Sequence, residues 1–209
     1  MRRGKIIWLT ALALFYCAFW IWYGGTGTPV SVAEGKRMLD ASRAMYLAHG
    51  HAPPETDFRP NIEEMIARDD GRELFMINLE TRKKGAAAEK AETDYGAIVV
   101  PLLLKRGGFP VYVGERVGSL LGQYGKQIDR VAIVRYRSLR DLLDMNADPA
   151  MAKGAVHKFA ALAHTEVFIT RPTISAVTVR LTLALLLLVI GWAGCCGIDR
   201  MAARRMRSA

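Results

Sequence analysis

Cysteine is scarce in this 209-residue chain, and it lies where it can do little chemistry. Cys17, Cys195 and Cys196 all fall inside long apolar runs. The stretch between those runs has none, which excludes a disulfide framework or a thiolate nucleophile there. Histidine is nearly as rare, at four residues. His49 and His51 form an H-x-H pair, but a metal needs three or four ligands in fixed geometry and no partner cluster accompanies them. No metal site is expected. There is no paired-carboxylate signature and no G-x-S-x-G. The glycine-rich residues 114–125 lack the strand-loop-helix spacing and the lysine of a phosphate cradle. No cofactor is expected.

Acid is also in deficit: 20 Asp and Glu against 29 Lys and Arg give a net charge of +9. Much of the excess is terminal, as Arg2, Arg3 and Lys5, then Arg200, Arg204, Arg205 and Arg207. Each cluster flanks an uncharged apolar run, at residues 6–23 and 181–198. Basic residues beside a hydrophobic segment set membrane orientation, so membrane lipid is the expected partner and nucleic acid is not. At about 1.5 Å per residue either run reaches roughly 27 Å, the thickness of a bilayer core. Trp20, Trp22 and Tyr23 gather at one end of the first run, where amphipathic rings favour the interface. That run reads as an uncleaved signal anchor, with a cleaved signal peptide as the alternative. Cys195 and Cys196 read as small apolar filling or a lipidation site.

These features predict an inner-membrane protein with two spans, residues 6–23 and 174–198. Residues 1–5 and the basic tail 199–209 would stay in the cytoplasm and the middle would face the periplasm. Residues 24–71 read as a tether with an added helical segment, and 72–171 as the compact domain.

That domain is organised around residues 130–144. The first half is β-branched and aromatic, with Val131, Ile133, Val134 and Tyr136. Leu139, Leu142 and Leu143 then recur at helical spacing, with Ser138 as a candidate N-cap and Asp141 favouring the first turn. Strands are also predicted over 74–79, 111–117 and 165–170. Helices are predicted over 32–49, 62–68 (capped by Asn61) and 86–105. A further helix runs from Ser138, breaks near 146–149 and resumes through Ala163. The order βαββαβ is the ferredoxin-like α+β pattern. The strands are apolar on both faces, yet two helices cover only one, so a second copy is expected on the other.

Several motifs recur in a familiar order: M-I-N-L from Met76, Tyr95, P-L-L from Pro101, and G-G-x-P-V-Y-x-G from Gly107. They continue with I-D-R-V-A-I-V-R-Y-R-S from Ile128 and H-K-x-A-A-L-x-x-T from His157. Together they resemble uncharacterised small domains of the dimeric α/β-barrel superfamily, of the NIPSNAP and EthD-like kind. The resemblance implies a homodimer whose two sheets close into a barrel, with a pocket between sheet and helices. It also implies relatives that include cofactor-free monooxygenases, isomerases and haem-binding enzymes, alongside domains without a known reaction.

Five residues are candidates for a ligand pocket. Asn78 could orient a ligand oxygen, as in some related monooxygenases, or satisfy backbone groups. Tyr112 and Tyr136 could donate hydroxyls or pack the sheet. Arg135 could bind an anion, or pair with Glu115 or Asp129, as could Arg137. His157 could shuttle a proton or hydrogen-bond from helix to sheet. His157 and Asn78 are the candidate catalytic residues. The leading expectation is a homodimeric binding or structural domain with a small lipophilic ligand. The alternatives are a cofactor-independent oxygenase or isomerase on a membrane-partitioned substrate, and an assembly partner of another membrane protein.

Overall fold

The computed structural model describes residues 2–25, 27–48, 58–173 and 179–207. His49 and His51 lie outside them. The chain divides into two compact units, one comprising Met1–Tyr23 with Thr173–Ala209, the other Gly24–Pro172.

The first unit is a pair of helices, α1 (Arg2–Gly24) and α7 (Val179–Arg207). Both are long and apolar enough to cross a membrane. They pack antiparallel. Lys5 reaches Asp199 at 2.6 Å near one end. Near the other, the Arg180 guanidinium lies 4.2 Å from the Trp20 ring centroid and 5.0 Å from that of Tyr23. Between them Gly191 leaves room for Leu9 and Leu12, and Gly194 for the indole of Trp8. The start of α1 and the last turns of α7 therefore lie at the same end of this unit.

In the second unit, helices α2 (Val32–Ala48) and α3 (Arg59–Ala67) precede the sheet. Helix α3 starts three residues before the expected position and takes Pro60 into its first turn, where a missing N–H costs nothing. Then come β1 (Leu74–Arg82), α4 (Ala86–Lys105), β2 (Phe109–Glu115), β3 (Arg130–Tyr136), α5 (Leu139–Asn146), α6 (Pro149–Ala161) and β4 (Leu162–Thr170). Helix α4 runs through Pro101 without a break. The sheet is four-stranded, antiparallel at every pairing, in the order β2-β3-β1-β4. This is the ferredoxin-like arrangement.

Strand two begins and ends two residues earlier than the sequence predicts. Its ladder to β3 runs from Phe109↔Arg135 to Glu115↔Arg130, with an irregularity between Pro110 and Tyr112. Strand β2 is an edge strand, where Pro110 can stand without removing a needed ladder bond. Ser138 caps α5 as expected: its Oγ accepts from Asp141 N at 3.2 Å. Asp148 caps α6 after the short break.

Side chains alternate along each strand. Leu74, Met76, Val134, Tyr136 and Ile169 face the helices and join the core with Val99, Leu103, Leu139 and Leu143. Helices α2 and α3 add Leu39, Ile62 and Ile66 to that same core. Ser42 Oγ donates to Asn146 O at 3.1 Å, fixing α2 on the end of α5. The added helices thus pack on the helical side and do not cover the other face of the sheet. That face carries Phe75, Ile77, Leu79, Val131 and Ile133, all partly exposed, with Tyr112 and Phe168 about half exposed.

Two glycines separate backbone demand from mere tolerance. Gly71 has φ +72°, and a Cβ there would collide with the carbonyl oxygen of Gly27. Gly96, inside α4, meets nothing within 4 Å and has ordinary helical φ. Chemical denaturation of the full chain in micelles is expected to show Gly96→Ala stabilising by about 0.5–1 kcal/mol. Gly71→Ala is expected to destabilise by roughly 2 kcal/mol or more.

Candidate functional site

The strongest concentration of polar groups lies between the sheet and helices α4 and α6. It follows from the alternation of β1, which is hydrogen-bonded on both sides. Leu74, Met76, Asn78 and Glu80 all project to the helices, and the last two bring polarity inside. Asn78 is 5% exposed and Glu80 4%. A buried polar group is costly unless partnered, and each has partners. Glu80 takes Arg130 Nε at 2.7 Å; Arg130 also binds Glu92, which takes Arg82 at 2.7 Å. Asn78 Nδ2 donates to Ala132 O at 3.2 Å, and its Oδ1 accepts from Lys158 Nζ at 3.1 Å. The Lys158 ammonium also stands 5.9 Å from the centroid of the Tyr95 ring.

This environment shifts the ionisable groups. Burial holds the Lys158 amine below its ordinary value; Glu80 opposes that and Arg130 reinforces it. Burial pushes the hydroxyls of Tyr95 and Tyr136 up, keeping both as neutral phenols. Burial raises Glu92, but Arg130 and Arg82 outweigh it and hold the carboxyl below the usual range.

The five residues singled out from sequence do not gather at one point. Asn78 and Tyr136 face the helices. Arg135 and Tyr112 are on the opposite face of the sheet. Arg135 is 1% exposed, with its Nε 2.7 Å from Glu73, an NH group 2.8 Å from Gly107 O and its guanidinium 5.5 Å from the Phe109 centroid. Its partner is thus Glu73 and not Glu115 or Asp129. Arg137 forks onto Asp141 at 2.9 and 2.6 Å. His157 is turned to α4, its Nδ1 4.0 Å from Asp94, and not to the sheet.

The residue that reaches the sheet from α6 is the next one, Lys158. Its signal was in the sequence. Gly154 and Ala161 are buried, and Lys158 lies four residues after the first and three before the second, on one helical stripe. Glu80 was legible in the same way, two residues after Asn78.

A concavity of about 510 Å³ lies between α3 and the free edge of β4. Met65, Leu74, Leu139, Val167 and Ile169 give it an apolar lining. The arginines at its rim are neutralised: Arg68 by Glu64 at 3.0 Å, and Arg171 by Asp70 at 3.1 Å. None of the five sequence candidates lines it.

Lys158 has a measurable signature. Its lowered folded-state value means that the fold penalises the charged amine at neutral pH. The penalty fades as pH rises toward the ordinary lysine value. The wild type is expected to gain stability on this count over that range, and Lys158→Met to lose that slope. Denaturant midpoints across alkaline pH check it.

No family model matches this chain, and no curated protein matches it. Among solved structures, the protein of unknown function RPA0582 from Rhodopseudomonas palustris is 22% identical. It aligns over 59% of this chain and 97% of its own with a TM-score of 0.51. The uncharacterised NIPSNAP domain protein from Burkholderia xenovorans is 11% identical over 50% of this chain and 96% of its own, TM-score 0.37. SnoaB, a cofactor-independent oxygenase from Streptomyces nogalater, is 16% identical over 51% and 98%, TM-score 0.36. The Gly24–Pro172 unit has a ferredoxin-like fold, which it shares with RPA0582.

Proposed function

We propose that this protein is a membrane-anchored homodimer whose α/β units meet through their open sheet faces, with a binding or structural role. The observation that carries this is the open face itself. Phe75, Ile77, Leu79, Val131 and Ile133 form an apolar surface that α2 and α3 leave free. An apolar area of that kind on a soluble unit marks a contact surface. Helices α1 and α7 supply the anchors, and membrane lipid is their partner. The central unit faces the periplasm with both termini in the cytoplasm, since the basic clusters flank the spans on that side. The small lipophilic ligand goes to the α3–β4 groove. Its volume is in the range of about 300–1,000 Å³ of ordinary ligand sites, and its paired rim charges favour a neutral guest.

Native mass spectrometry of the detergent-solubilised full chain tests the dimer. The wild type is expected at twice the chain mass. Ile77→Asp, which places a charge between Ile133 and Phe168, is expected at the single-chain mass. A monomeric wild type would overturn the reading. Terminal reporter fusions check the orientation; a C-terminus outside the cytoplasm would refute it.

A second reading is a cofactor-independent oxygenase or isomerase. What favours it is Lys158, an amine with a lowered pKa beside an amide and a phenol. What weighs against it is Asn78, whose amide is engaged at both ends. Catalysis would require Lys158 to release Asn78. The assembly-partner reading draws less support, because Leu39, Ile62 and Ile66 of the added helices are buried in the unit's own core.

A further inference from the structure

The β2–β3 connection, residues 116–129, leaves the sheet at its Glu115–Arg130 end. Its base is tied down. Arg116 N donates to Asp129 O at 2.8 Å, Arg116 Nε donates to Ile128 O at 2.7 Å, and Ile128 is buried. Beyond that base the loop carries four large side chains into solvent. Val117 and Leu120 are fully exposed, Leu121 is 95% exposed and Tyr124 74%. Apart from Asp129 at its base the loop contains no acid; its basic residues are Arg116 and Lys126. The chain enters and leaves this unit at the opposite end of the sheet, where Gly25 lies against Arg137 and β4 ends at Thr170.

Resting on the homodimer proposed above, we propose that this loop is an arm that packs on the second copy of the chain, with Leu120 and Leu121 as its anchors. The area of the open face is the argument. Four strands of seven to nine residues, about 4.8 Å apart with a rise of about 3.3 Å per residue, present a face of roughly 500 Å². A stable interface takes about 800 Å² from each partner. The footprint of about 500 Å² is flat and carries a larger accessible area, so the sheet sits near the lower limit of such an interface. Four solvent-exposed apolar side chains at roughly 100 Å² each extend it. The composition fits as well: aliphatic and aromatic groups for a dry centre, Arg116 and Lys126 for a polar rim. Glu166, partly exposed on the open face of β4, offers Lys126 a counter-charge. The arm therefore enlarges an interface that the sheet face alone would leave near that limit.

The test uses the full chain in nanodiscs. Leu120→Ser with Leu121→Ser alters residues without internal contacts to lose, so the fold is retained. The arm predicts a dimer dissociation constant raised about 100-fold in this variant, read by dilution of donor- and acceptor-labelled copies. In parallel, Leu120 is replaced by photoreactive p-benzoylphenylalanine and mixed with copies labelled in nitrogen-15. Light-to-heavy crosslinks onto β1, β3 or β4 are expected. A wild type that stays monomeric, without such crosslinks, removes the homodimer and the arm together. A stable dimer unaffected by the double substitution, with Leu120 crosslinked to lipid or to its own chain only, overturns the arm and leaves the homodimer standing.

Discussion

Strand β1 is the constraint on which the rest depends. It is hydrogen-bonded to β3 on one side and β4 on the other, so it cannot slip without breaking two ladders. Its period of two then forces Asn78 and Glu80 to the helical side and Phe75, Ile77 and Leu79 to the other. Each consequence has a cost. Two polar groups inside a small core oblige the chain to supply Lys158, Arg130, Glu92 and Arg82 as partners. Removing a single member would leave a buried charge or amide without a mate, which is more damaging than never having had the network. The apolar row on the other side obliges the fold to find a cover.

The turn from β3 into α5 is the second fixed point. Arg135 is buried and paired with Glu73, Ser138 caps the helix, and Asp141 takes both the Ser138 hydroxyl at 2.6 Å and the Arg137 fork. Four residues of one short stretch thus settle where the strand stops and the helix begins. The N-terminal addition is built onto this same corner. Arg140 binds Glu34 of α2, and Leu139 and Leu142 pack in one cluster with Leu39 and Ile62. The addition thickens the helical layer, which is why the sheet keeps its other face open.

Much of this was legible because it is local. The change of period at Ser138, the apolar stripe of α4 and the βαββαβ order all depend on neighbours within one or two turns. What was not legible is mostly long-range. The Arg135 carboxylate partner lies 62 residues away, and Glu115, the nearer candidate in the β-sheet, is taken by Arg82. The bounds of strand two are not legible locally: Pro110 stands inside an edge strand whose ladder to β3 shifts register between Pro110 and Tyr112. His157 and Lys158 illustrate a different limit. On a helix one residue is about 100° of rotation, so adjacent positions face different neighbours. Chemical interest pointed to the imidazole; the small residues Gly154 and Ala161 pointed to the ammonium.

On the proposed reading α1 and α7 are membrane anchors, and they bear on how strong an interface the open face needs to be. In solution, a face of a few hundred square ångströms would give a dimer too weak to persist at ordinary concentrations. Chains tethered to one membrane meet at a much higher effective concentration, because translation along the membrane normal and both tilting rotations are already restricted. A modest sheet contact, extended by a loop with two exposed leucines, is then sufficient. The same exposed leucines on a freely diffusing protein would be an aggregation liability. On the proposed reading, the two apolar helices and the apolar loop belong to one design: confinement allows a small interface to work, and the small interface leaves the helical side of each unit free to hold its charged network in place.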